Sequence, residues 1–156
     1  MKKILLLLLI LIFTFAGCSS YSYSDKQLKD TIDKVLTYKN GYDDEMKKYI
    51  NEDNFYNCNY PTFYSFFLDE VEITKYESEI KKIERKKGNY TVYMIVNIAA
   101  QGPIVKDEEG EHRGSAVGKD VPLKIVLEEK DEGLYLNSFK EYEELSEAIE
   151  ENPQFK

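Results

Sequence analysis

An α+β domain is predicted, with N-terminal helices packed on a curved antiparallel sheet, and three observations predict it. Apolar residues recur at helical spacing between Ser24 and Phe67. From Val71 onward the period falls to about two, and β-branched and aromatic residues dominate. Short Gly- or Asn-bearing turns separate these later runs, which marks antiparallel hairpins. Each element needs an apolar partner and sequential hairpins pair most easily, so helices followed by two hairpins give a sheet wrapped around the helices.

Ser24 followed by Gln27 has the capping-box spacing, and Leu28, Ile32, Val35 and Leu36 fall on one helical face. A first helix is expected from Asp25 to Tyr38, ending at Asn40-Gly41. Asp43, Asp44 and Glu45 suit the positive end of a second helix, with Tyr42, Met46, Tyr49 and Ile50 on one stripe and an end near Asn51. Pro61, placed as a first-turn proline after Asn59, precedes Phe63, Phe66 and Phe67 at i, i+3 and i+4. These predict a short aromatic helix whose apolar face plugs the open side of the sheet.

Val71 to Arg85 reads as a long, bulged strand, Lys86-Lys87-Gly88-Asn89 as a turn, and Tyr90 to Ala99 as a strongly apolar second strand. Gln101 to about Lys119 is Gly-rich and charged and is expected to be a loop. Val121 to Glu129 and Leu134 to Phe139 form a second hairpin around Asp131-Glu132-Gly133. The domain is therefore bounded at 25–140. The Glu-rich segment 141–156 is expected to fray, apart from one weak helical turn around Leu145 and Ile149.

The N-terminus has a different logic. Lys2 and Lys3 form a positive n-region, and Ile4 to Phe15 an apolar run that ends in Ala16-Gly17-Cys18. As a helix this run rises about 18 Å, short of the roughly 30 Å hydrocarbon core of a bilayer. The segment resembles the signal and lipobox of bacterial lipoproteins, with Phe15 where that family usually has Leu. The resemblance implies removal of residues 1–17, lipidation of Cys18 and a short tether over 18–24. It implies a protein anchored to the extracytoplasmic side of a cell membrane, since two acyl chains hold where one gives marginal binding.

The order of elements from Asp25 to Phe139 resembles the NTF2-like and cystatin-like α+β folds. That resemblance implies a cone-like sheet whose interior is either a filled core or a pocket, lined here by Phe63, Phe67, Tyr93 and Ile95. Pockets of related enzymes use a buried Asp or Tyr, but Tyr90 to Ala99 contains no acid, so a filled core is expected and no catalytic residue is assigned.

Composition limits the partners. The net charge is −8, and losing Lys2 and Lys3 with the signal makes it about −10, a surface that repels phosphate backbones and argues against nucleic acid. With Cys18 lipidated, Cys58 has no partner for a disulfide and reads as a half-buried structural thiol. No cofactor or metal is expected: His112 is the single histidine, and HExxH and CxxC are absent. Ser115 near His112 lacks the GxSxG elbow, and Asp107 to Glu111 miss the calcium-loop spacing. Most of the thirteen tyrosines fit core and cross-strand positions.

The function expected is a non-catalytic interaction domain, its partner a cell-envelope protein or a toxin. A small-ligand receptor using the concave face of the sheet is the alternative. An isomerase- or cyclase-type enzyme, which requires a carboxyl facing a pocket, comes third.

Overall fold

The computed structural model describes residues 23–107 and 110–156, so Cys18 and the tether preceding Tyr23 lie outside the described residues. Helix α1, Asp25–Thr37, begins at the predicted capping box: Ser24 Oγ accepts from the Gln27 amide, and the Gln27 side chain accepts from the Ser24 amide. Its stripe of Leu28, Ile32, Val35 and Leu36 is fully buried. On its flank Asp33 receives hydrogen bonds from Tyr76 Oη and Ser78 Oγ, each at 2.7 Å, which fasten the helix to the first strand.

The predicted second helix is replaced by a single turn, Met46–Lys48, and a separate helix α2, Glu52–Cys58. Met46 and Ile50 are buried as the spacing implied, but the backbone at Tyr49 and Ile50 is drawn to a strand edge. The Leu136 amide donates to the Tyr49 carbonyl at 2.6 Å, and Ile50 bridges Leu136 in parallel. Asn51 then caps α2 through the Asn54 amide, with Glu52 and Asp53 in its first turn.

Helix α3, Tyr60–Leu68, starts where Pro61 predicted. Asn59 joins it to the two helices before it. Its side-chain amide donates to the carbonyls of Val35 and Tyr38 at 2.8 and 3.0 Å, and its Oδ1 accepts from the Thr62 amide at 2.9 Å. Asn59 itself has no solvent exposure; its bond to the Val35 carbonyl is buried and those with Tyr38 and Thr62 are part-buried.

Four strands follow: β1, Glu72–Lys86; β2, Asn89–Asp107; β3, Gly110–Lys130; and β4, Gly133–Glu141. They form one antiparallel meander in the order β1-β2-β3-β4. The loop expected from Gln101 to Lys119 is instead strand over residues 101–107 and 110–119. β2 and β3 stay paired out to Asp107 and Gly110, beyond the reach of β1 and β4, as a two-stranded arm. Glycine at positions 102 and 114 belongs to packing here, because a Cβ at Gly102 would sit 2.7 Å from the Leu68 carbonyl and one at Gly114 2.9 Å from Leu68 Cδ2.

Even-numbered residues of β2 from Tyr90 to Ile98 meet the helices in the main core, while Tyr93 and Ile95 face the other way. That second face corrects the expectation of a fraying tail. Helix α4, Leu145–Glu151, and a turn at Pro153–Phe155 cover it. Phe155 meets Tyr93 and Tyr142 edge-on at 5.4 and 5.6 Å. Asn152 donates to Tyr142 Oη at 2.8 Å and accepts from Lys124 at 3.0 Å, so the segment carries its own buried polar anchor.

Replacing Asn59 by alanine removes the α3 cap and strands the carbonyls of Val35 and Tyr38. A loss of about 2–4 kcal/mol in unfolding free energy is expected by urea titration, against well under 1 kcal/mol for the exposed Asn40→Ala.

Candidate functional site

The aromatic helix does not plug the sheet with its phenylalanines. Tyr60, Tyr64 and Leu68, at i, i+4 and i+8, take the inward stripe, leaving Phe63, Phe66 and Phe67 at 45%, 73% and 72% exposure. Tyr93 and Ile95 lie on the opposite face of the sheet beneath Phe155. The four residues Phe63, Phe67, Tyr93 and Ile95 are therefore not brought together: Ile95 borders a cavity of about 230 Å³ on its own face of the sheet, and Phe63 borders a larger one on the helix side.

That larger cavity, of about 390 Å³, opens between α2, α3 and the distal parts of β3 and β4. Tyr60, Phe63 and Tyr64 form one wall, Val117, Gly118 and Val121 another, and Cys58, Phe139 and Glu141 complete it. The Tyr60 and Tyr64 rings stack at 6.0 Å with 19° between planes, and Phe63 meets Tyr64 edge-on at 5.6 Å. A side chain at 118 would enter this space, its Cβ 2.9 Å from Val121 Cγ2 and 3.7 Å from Tyr64 Oη.

Glu141 arrives through a backbone irregularity. Leu134 and Leu136 face the helices, and simple alternation would turn the odd positions after them to the other side. Leu127 pairs with Leu136 and Val126 with Ser138, so Asn137 is an extra residue in β4 and shifts the parity. Phe139 and Glu141 then point to the helix side. Asn54 of α2 holds the bulge by donating to the Asn137 carbonyl at 2.9 Å.

Tyr60 Oη donates to Glu141 Oε2 at 3.2 Å. Desolvation by the surrounding protein raises the Glu141 carboxyl above the usual glutamate range even though the residue as a whole is exposed; the Tyr60 hydrogen bond opposes this only partly. Burial, and then the Glu141 charge, push the Tyr60 phenol far upward, so it remains a donor. No lysine, arginine or histidine belongs to the described lining. Its polar chemistry is one carboxylate and two phenols, suited to holding a cation or taking up a proton.

Sequence reasoning missed Glu141 because it sought an acid within Tyr90 to Ala99. The available signal was the break in alternation between Leu136 and Phe139. Cys58, expected half-buried, is 2% exposed, and burial pushes its thiol up to about 12. His112 and Ser115, three apart in β3, project to opposite faces, so they do not form a catalytic pair. In the acidic arm Lys106 pairs with Glu111 at 2.6 Å, while Glu108 and Glu109 lie outside the described residues. Among the described residues no three His, Cys, Asp or Glu side chains are grouped to hold a metal, and no helix is long and apolar enough to cross a membrane.

No protein-family model matches the chain, and no curated protein matches it. Among solved structures, it is similar to the crystal structure of the intermembrane space region of the chloroplast protein ARC6. The TM-score is 0.47 at 9% identity, covering 76% of this chain and 96% of that one.

Two measurements check the site. In a Cys18→Ala chain, Ellman's reagent in mildly alkaline buffer is expected to find no reactive thiol in the native protein and one after denaturation. For Glu141, the folded state keeps its proton to higher pH than the unfolded state, so stability is full below the ordinary value of 4.5 and falls as pH rises through the raised folded value. Glu141→Gln should match the parent's thermal midpoint in acid and exceed it at neutral pH.

Proposed function

We propose that this chain is a lipoprotein held by a lipid on Cys18 at the extracytoplasmic side of a bacterial membrane. There its NTF2-like or cystatin-like domain serves as a non-catalytic interaction module for a cell-envelope protein or a toxin. The observation that carries this reading is the exposed apolar surface of Phe63, Phe66 and Phe67 on α3 and of Val117, of which Phe63 and Val117 border the cavity, at the end of the domain away from Tyr23.

The tether enters beside Tyr23, whose ring meets Tyr90 edge-on at 6.1 Å near the β1–β2 turn. Helix α3 ends against Gly102 and Gly114, at the start of the arm. Eleven residue steps along β2 lead from Tyr90 to Gln101, roughly 35 Å of rise. The five steps from Cys18 to Tyr23 span at most about 18 Å. An anchor at one end thus holds the aromatic surface at the other, where a protein reaches it more readily than lipid does. The net charge of −8 also disfavours contact with anionic headgroups.

The cavity favours a second reading, a small-ligand receptor, since its volume lies in the range of such sites. One experiment in intact cells addresses the first reading. Radiolabelled palmitate is expected on the parent and not on Cys18→Ala, and a photo-crosslinker at Val117 should capture a discrete protein. The Phe66→Glu, Phe67→Glu double variant should reduce that capture at least about tenfold, because charge in an apolar interface is desolvated without a partner. Label persisting on Cys18→Ala would sink the anchor, and capture indifferent to the double variant would sink the interaction surface.

A further inference from the structure

The cavity behind the exposed aromatics has a chemical preference of its own. Elsewhere the chain covers tyrosine rings with its own lysines: Lys34 lies 4.3 Å from the Tyr49 centroid, Lys130 3.3 Å from Tyr135 and Lys140 4.3 Å from Tyr142. No described lysine or arginine does so at Tyr60 or Tyr64, and none pairs with Glu141, whose described hydrogen-bond partner is the Tyr60 phenol. A carboxylate accepts at up to about four lone-pair sites, so acceptor capacity remains toward the cavity.

We propose that this cavity receives a lysine or arginine side chain of the protein partner, with the cationic head on Glu141 and the aliphatic stem against Phe63, Tyr64 and Val117. The inference rests on the reading of the α3 surface as protein-facing and names the chemistry of what docks there. Four features converge on it. Glu141 supplies a charge-assisted acceptor, and the stacked pair Tyr60 and Tyr64 supplies aromatic surface to a cation. Phe63 and Val117, at 45% and 74% exposure, form an apolar rim of the kind that long basic side chains cover with their methylenes. The acidic balance of the whole chain attracts a basic partner before contact.

The full chain in nonionic detergent is titrated with butylguanidinium and butylammonium, with 1-butanol and butyrate as neutral and anionic counterparts, and amide resonances are followed by NMR. Saturable shifts at Tyr64, Gly118 and Glu141 are expected for both cations, with affinity about tenfold above the alcohol. Glu141→Gln, which retains an acceptor for Tyr60, should reduce that preference below about twofold. The cellular crosslink at Val117 should be competed by butylguanidinium and weakened by the same variant. Equal binding of cation and alcohol, or a preference that survives Glu141→Gln, overturns the proposal. The partner reading still stands in that case if the Phe66 and Phe67 double variant abolishes capture. A cation preference in a protein whose crosslink ignores both butylguanidinium and Glu141→Gln overturns the partner side chain as occupant and leaves a free amine in its place.

Discussion

One fully buried amide side chain determines where the cavity's aromatic wall stands. Asn59 ends α2, caps α3 and holds the last carbonyls of α1, so three helices meet at one group. With the Asn59 side chain fully buried the geometry is demanding, since a buried group left unbonded would cost about 1–3 kcal/mol. The next residue is Tyr60, and its position at the first turn of α3 follows from that clamp. The site's phenol is therefore placed by the same interaction that closes the helical layer.

The other wall depends on irregular backbone. A regular β4 would turn Glu141 away from the helices; the extra residue Asn137, fastened from α2 by Asn54, turns it toward them. Gly118 contributes by lacking a side chain, which leaves room between Tyr64 and Val121. The carboxylate and the phenol it meets come from residues 81 positions apart. Each is held by an asparagine that does not itself line the lower polar pair.

Legibility in the sequence follows from how local each cause is. Helix α1 and the hairpin turns were readable because capping boxes and turn residues act within a few positions, and the α+β class with its antiparallel sheet followed from the change in period. The interruption at Tyr49 and Ile50 was not readable, because the edge of β4, which captures them, lies more than eighty residues away. For α3 the stripes of Phe63, Phe66, Phe67 and of Tyr60, Tyr64, Leu68 were both present. Hydropathy favours the first, whereas a stacked pair of phenols beside a carboxylate favours the second, and that carboxylate comes from another strand. The strands through Gly102 and Gly114 read locally as loop for a related reason: a glycine selected by Leu68's approach is indistinguishable in sequence from one selected by a turn.

The two faces of the sheet then divide the work. Tyr93 and Ile95 are covered by a C-terminal segment with its own polar anchor, Asn152 between Tyr142 and Lys124, and the described cavity on that face, bordered by Ile95 and Leu145, is smaller than the one beside α3, at about 230 Å³. The helical face is packed tightly near the β1–β2 turn, where Leu28, Ile32 and Tyr90 are buried, and loosens toward the arm, where α3 leaves a cavity beside exposed phenylalanines. A core of this size gains about 1.5–3 kcal/mol for each large apolar side chain it buries. Phe66 and Phe67 forgo most of that gain on their own, and a bound protein surface is what would recover it. Packing that is complete where α1 meets the β1–β2 turn and incomplete beneath α3 leaves the domain open at one end, with Glu141 the acidic group in the described lining of that cavity.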